Sequence, residues 1–323
     1  MIEINKNYNE NCLDTMIKIE DNSIDLVITS PPYDDLRTYN NNNKGNCTNF
    51  NGYSFPFENI ANELKRILKP GGVIVWVVGD ATNKACETGT SFRQALYFKE
   101  IGLNLYDTMI YQKTGTPFPQ KTRYNQVFEY MFVFSKGKPK TFNPIMKKNA
   151  TAGAVRHSRK FRNQNGEMVP SFNGKAVNEY GIENNIWIIK NGMNKSTKDE
   201  FAFGHPAIFP EELVVKHILT WTEINDVIYD PFMGSGTSAK CSIQTERNWI
   251  GSEMDKNYCD IIEKRILNLN KENFEEILTK KRVEELLLNT IDNPNSIELS
   301  KKSEKKPKSE KKIDKKIEQQ KLF

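Results

Sequence analysis

Ser23-Ile24-Asp25-Leu26-Val27-Ile28-Thr29-Ser30-Pro31-Pro32-Tyr33 is the stretch on which the fold turns. Its apolar and β-branched run predicts a short buried strand. Two consecutive prolines carry no N–H to donate, so the chain must leave the sheet at Pro31. The strand therefore ends on a small hydroxyl (Ser30), a stiff backbone with carbonyl acceptors, and an aromatic ring (Tyr33). Such a corner can hold a flat, hydrogen-bonding group, but alone it is equally a surface turn.

The pattern around it is alternating strand and helix. Residues 73–78, Val-Ile-Val-Trp-Val-Val, are apolar on both faces, as a central parallel strand should be. A helix predicted over 57–68 precedes them and stops at Lys69-Pro70-Gly71-Gly72. Further helices are predicted over 11–19 and 91–101, and strands over 2–4, 105–112 and 127–134. After His205-Pro206 the rhythm resumes, with helices over 211–220, 238–245 and 256–269 and strands over 227–229 and 249–252. This order implies an α/β fold with a mostly parallel sheet and helices on both faces. Residues 140–200 break the rhythm. They are rich in Gly and Asn and hold the basic run Arg156-His157-Ser158-Arg159-Lys160-Phe161-Arg162.

Composition narrows the function classes. The chain has 323 residues, 37% of them hydrophobic, enough for a core, and no apolar run of membrane-spanning length. The five cysteines are scattered without a Cys-x-x-Cys pair, which suits a reduced cytoplasm and argues against zinc or a disulfide framework. Of the net charge of +5, residues 301–323 carry +6 (ten Lys against four acids), leaving −1 on the rest. Any nucleic-acid surface on the folded body must therefore be local.

A second motif lies far downstream. Val227-Ile228-Tyr229-Asp230-Pro231-Phe232-Met233-Gly234-Ser235-Gly236-Thr237-Ser238 reads as strand, glycine turn and helix. Glycines let the backbone approach a ligand, and the helix amino terminus offers N–H groups to an anion. Asp230 ends the strand, where it can meet a cationic group. Glu253 closes the next strand, a common place for an acid that binds a ribose diol. A phosphate-binding P-loop is excluded, because no Gly-Lys-Ser/Thr follows the glycines.

Asp-Pro-Phe-Met-Gly-Ser-Gly-Thr together with Thr-Ser-Pro-Pro-Tyr resembles the S-adenosylmethionine-dependent DNA amino-methyltransferases of restriction–modification systems. Leu68-Lys69-Pro70-Gly71-Gly72 and Gly204-His205-Pro206-Ala207-Ile208-Phe209-Pro210 agree with it. The corner precedes the glycine loop, which is the order of the β class, a circular permutation of the common methyltransferase fold. The resemblance implies a seven-stranded, Rossmann-like sheet with one antiparallel strand. It divides the chain into a catalytic half (1–140), a target-recognition region (141–200), a cofactor-binding half (201–292) and a Lys-rich tail without order (293–323). It assigns Ser30, Pro31, Pro32 and Tyr33 to the target base. Asp230, Phe232, Gly234, Gly236, Thr237 and Glu253 fall to S-adenosyl-L-methionine, with His205 and Pro206 nearby. Arg156, Arg159, Lys160 and Arg162 are the candidates for DNA phosphates. No metal is expected.

The implied reaction is methyl transfer to an exocyclic amine of duplex DNA after base flipping. Serine at position 30 and Phe209 point to N4 of cytosine, and N6 of adenine is the alternative. RNA methylation and a non-catalytic DNA-binding module are the competing readings. No cysteine follows a proline, so carbon-5 chemistry is not expected. A cognate restriction enzyme is the implied functional partner. The final Gln319-Gln320-Lys321-Leu322-Phe323 resembles the short motif that docks bacterial proteins on the replication sliding clamp.

Overall fold

The computed structural model describes residues 2–32, 55–83, 85–115, 121–155, 160–170, 176–192 and 194–269. Tyr33, Arg156, Arg159, the end of the cofactor-binding half (270–292), and the tail with Gln319, Leu322 and Phe323 lie outside the described residues. The elements run β1 (Lys6–Tyr8), α1 (Cys12–Lys18), β2 (Ile24–Thr29), α2 (Phe57–Ile67), β3 (Leu68–Val78), β4 (Thr82–Asn83), β5 (Cys86–Glu87), α3 (Thr90–Glu100), β6 (Asn104–Lys113) and β7 (Phe128–Ser135). They continue with β8 (Met146–Lys148), β9 (Lys160–Arg162), β10 (Met168–Pro170), β11 (Tyr180–Ile182), β12 (Ile186–Ile189), a 3-10 turn (Glu200–Gly204), α4 (Glu211–Trp221), β13 (Val227–Asp230), α5 (Thr237–Gln244), β14 (Asn248–Ser252) and α6 (Lys256–Leu269).

The main sheet has the order β1-β14-β13-β2-β3-β7-β6-β12. Only β7 runs against its neighbours β3 and β6; the other pairs are parallel. The sheet thus has eight strands rather than the expected seven. The extra one, β12, comes from the stretch that lacked periodicity and pairs along one edge only, with β6. The first strand is also displaced, to Lys6–Tyr8 from the expected 2–4. It is short and polar, and its register comes from pairing with β14.

Local chemistry sets the helix limits. Asn11 caps α1 by accepting from the Leu13 N–H at 2.9 Å. Helix α2 buries Ile60, Ala61, Leu64 and Ile67 on one face. It ends at Ile67, where Leu68 is already extended and leads into β3; Pro70 could not continue a helix, and Gly71 within β3 has φ +81°, where a side chain would also press on Lys140. The pleat then sorts the core. Val27, Ile74, Trp76 and Val78 pack with α1, α2 and α3 through Met16, Leu64 and Phe98. Their alternates Leu26, Ile28, Val73, Val75 and Val77 pack with α4 through Leu213, Val214 and Ile218.

Strands β13 and β2 are neighbours although about two hundred residues separate them in sequence. From β13 the chain runs outward through β14; from β2 it runs the other way through β3. This reversal is the topological switch point, where open parallel sheets form a crevice beyond the strand carboxyl ends. The proline corner ends β2 and the glycine loop ends β13, so both face that crevice.

Candidate active site

One cavity of about 520 Å³ fills the crevice. Ser30, Pro32, His205, Pro206, Asp230, Phe232, Gly234, Thr237 and Glu253 all line it. Pro31 is buried beside it. Gly236 turns away with φ +81°, and a Cβ there would stand 2.9 Å from Ile262 Cγ1. Lys160 and Arg162 sit elsewhere, exposed on the antiparallel hairpin of β9 and β10.

Asp230 joins the two motifs. Its Oδ1 accepts from Thr29 Oγ1 at 2.6 Å and from the Phe232 N–H at 3.0 Å, and its Oδ2 accepts from Ser238 Oγ. Burial raises its pKa, against these three donors. The carboxylate thus ties the end of β2 to the start of α5 and fixes the turn between them. Thr29 and Ser238 were not singled out in the sequence, because nothing local marks a hydroxyl that meets an acid across 201 residues.

Glu253 holds the loop from the other side. One oxygen accepts from the Gly234 N–H and the other from the Asp255 N–H, each at 2.8 Å. Burial outweighs these bonds and pushes its pKa up to about 7. Gly234 has φ +54°, and a Cβ on it would lie 3.0 Å from His205 Nε2. The His205 ring meets Tyr258 edge-on, and its Nδ1 accepts from the Ala207 N–H at 3.1 Å. That bond puts the proton of a neutral ring on Nε2, facing the glycine loop.

Behind the loop lies a buried ionic cluster. Lys240 contacts Asp199 at 2.7 Å and Glu211 at 2.9 Å, and Arg265 contacts both acids at 2.9 Å. Arg265 also donates to the Ser235 carbonyl at 2.6 Å, so the cluster braces the loop. On the opposite wall Lys113 pairs with Glu129 at 2.6 Å. Asn191 lines the cavity too, and its buried Oδ1 has no hydrogen-bond partner among the described residues. None of these residues carries a local sequence signature.

A ligand with a ribose, an anionic group and a cationic group fits this wall. Glu253 offers a carboxylate to hydroxyls, Asn191 an unmatched acceptor to a donor, and the start of α5 its N–H groups to an anion. Fold and cavity define an α/β enzyme class that binds a nucleoside cofactor at the sheet's switch point. Residues 24–264 match the N6/N4 methyltransferase family model, described as DNA methylase. The chain belongs to this family, and its cofactor is S-adenosyl-L-methionine. The orphan methyltransferase M.BamHII of Bacillus amyloliquefaciens is 54% identical over 252 residues, which cover 77% of this chain and 91% of that protein. The type II methyltransferase M.BglII of Bacillus subtilis is 27% identical, over 80% of this chain and 68% of that one. Among solved structures, PvuII DNA methyltransferase (cytosine-N4-specific) shares the fold with a TM-score of 0.59 at 23% identity, covering 88% of this chain and 93% of that chain. No described helix is long and apolar enough to cross a membrane.

Proposed function

We propose that the protein methylates N4 of cytosine at a defined sequence in duplex DNA, in the cytoplasm, with the base rotated out of the helix. The observation that carries this reading is that Ser30 lines the same cavity as the glycine loop and Glu253. The cytosine amine is a poor nucleophile, because its lone pair is delocalised into the ring. Ser30 Oγ and the Pro31 carbonyl accept its two hydrogens and draw the nitrogen towards tetrahedral geometry. Tyr33 stacks on the ring. Bound S-adenosyl-L-methionine supplies an activated methyl group on sulfur. The nitrogen takes that methyl and releases one proton. The residues contribute position and hydrogen-bond polarisation without a covalent link to the protein.

Phe232, Gly234, Thr237 and Glu253 hold the cofactor, Asp230 and Gly236 shape its loop, and His205 and Pro206 close it. Residues 141–200 outside β12 form the recognition region, with Lys160, Arg162, Arg156 and Arg159 on phosphates. The name of the 54%-identical relative, an orphan methyltransferase, favours action without a companion restriction enzyme. The last five residues dock on the sliding clamp. Equal clamp recovery by the full chain and by a chain ending at residue 318 would remove that element.

Sequencing the genome of a methylation-free host that expresses the protein, with detection of modified bases, tests the main reading. N4-methylcytosine at one sequence is expected. N6-methyladenine instead would move the activity to adenine. Unmodified DNA, in the host and with purified protein, would leave a DNA-binding module or, if RNA is labelled, an RNA enzyme.

A further inference from the structure

The wall that faces Ser30 holds a charge pair that the chemistry above does not use. Lys113 ends β6 and Glu129 is the second residue of β7, and both line the cavity. Their side chains are 22% and 10% exposed. In register Glu129 stands opposite Tyr111, not Lys113. Lys113 therefore reaches the carboxylate diagonally across the two strands, with both side chains on the face that lines the cavity. A mostly buried ion pair gains little stability over apolar packing, so stability alone is a weak reason for one at the cavity wall.

The sheet register places the pair relative to the base corner. Val78 pairs with Tyr130 and Thr29 with Trp76, so Glu129 on β7 falls level with Gly79 and Ser30, after β2, level with Val77, with β3 between them. Adjacent strands lie about 4.8 Å apart and residues rise about 3.3 Å along each, which puts the two backbone positions about 12 Å from each other. The gap has room for the edge of a base, on which the exocyclic amine and the ring nitrogen beside it stand next to each other. An ammonium carries three donors, so one can serve Glu129 and another a base acceptor.

We propose that Lys113 determines which base is accepted, by donating to the ring nitrogen beside the exocyclic amine (N3 of cytosine, N1 of adenine), with Glu129 as the positioning residue that aims it. This rests on the methyltransferase reading and adds the second half of base recognition. Ser30 and Pro31 require an amine; Lys113 requires an acceptor next to it. Thymine fails the first requirement. Guanine fails the second on its Watson–Crick edge, where an N–H stands beside its amine.

The test uses the full-length protein and duplexes that carry the methylated sequence found in the host. The target base is either natural or its deaza analogue, 3-deazacytosine for a cytosine enzyme and 1-deazaadenine for an adenine enzyme. Wild type should lose about tenfold to a hundredfold in kcat/KM on the analogue, the range for a hydrogen bond to a charged group. K113M should lose as much on the natural base, bind S-adenosyl-L-methionine with unchanged Kd, and lose nothing further on the analogue. K113R should keep most of the discrimination. Equal rates of wild type on both duplexes would overturn the proposal even if K113M does not fold. So would a K113M deficit of the same size on both duplexes, or one explained by weaker cofactor binding. Failure of wild type to label any natural duplex would instead sink the methyltransferase reading.

Discussion

Thr29 Oγ1 donates to Asp230 Oδ1 at 2.6 Å, and this bond fastens the last residue of β2 to the last residue of β13. Ser30 follows the first and the glycine loop follows the second. The relative position of base corner and cofactor loop therefore hangs on two side chains whose backbones are on neighbouring strands. Thr29→Val keeps the shape and removes the donor. It should cost about 1–3 kcal/mol of stability, because a buried acceptor loses a partner. Urea unfolding measures the loss, and Thr29→Ser should recover most of it. A Val variant as stable as wild type would mean that the bond does not hold the strands in place.

Glu253 gives the site a pH response. Its folded pKa of about 7 lies above the ordinary 4.5. The folded protein therefore binds an extra proton between those values, and this group's contribution to stability falls as pH rises through the window. Ribose hydroxyls donate best to the ionised form. Affinity for S-adenosyl-L-methionine should thus weaken below about pH 7, approaching tenfold per pH unit. Calorimetric titration from about pH 6 to about pH 8 reads this. Glu253→Gln should remove the part of the slope that belongs to the carboxyl, and an identical slope in both proteins would refute the assignment.

Arg265 bears on both stability and binding. It is 2% exposed, touches Asp199 and Glu211, and holds the Ser235 carbonyl. Arg265→Met leaves the two acids with Lys240 alone. A loss of about 3–5 kcal/mol is expected in thermal or chemical unfolding, as for a buried ion pair that loses one partner. Cofactor affinity should fall in whatever fraction remains folded. A Met variant of wild-type stability would show that Lys240 suffices.

Gly236 tests close packing. A methyl there meets Ile262 Cγ1 at 2.9 Å, in a backbone conformation with φ +81°. Gly236→Ala should destabilise by about 1–3 kcal/mol. Ile262→Ala in the same chain should relieve the collision while leaving the φ strain. If the double variant is no better than the sum of the single changes, the collision is not the cause.

Lys160 and Arg162 concern DNA. Reversing both to Glu should weaken binding uniformly across sequences. It should also reduce the slope of log K against log salt by about 0.9 per lost phosphate contact. Fluorescence anisotropy at several salt concentrations decides this. An unchanged slope would place the phosphate contacts elsewhere.

Strand and helix alternation was legible where elements are buried on both faces, as in β2 and β3, because apolar runs leave few alternatives. Edge elements were not. β12 is four residues long and depends on β6 for its existence, and β1 is polar and takes its register from β14. The site divides the same way. Glycine loop and proline corner are visible because they constrain backbone locally. Asp230 was visible as a strand-end acid, but its company of Thr29, Ser238 and the Phe232 N–H was not. The Asp199, Glu211, Lys240 and Arg265 cluster spans four separate segments and has no period to detect.

The adjacency of β13 and β2 has a consequence for synthesis on the ribosome. When the first two hundred residues have emerged, β2 has β3 on one side and nothing on the other. Its open edge carries the apolar run 26–28, the kind of strand that invites pairing with foreign chains. Only when β13 emerges can it pair through Leu26 and Val27 with Ile228 and Tyr229. The central strand thus stays half-paired until β13 arrives, and the nascent chain completes sheet and cavity in the same late stage.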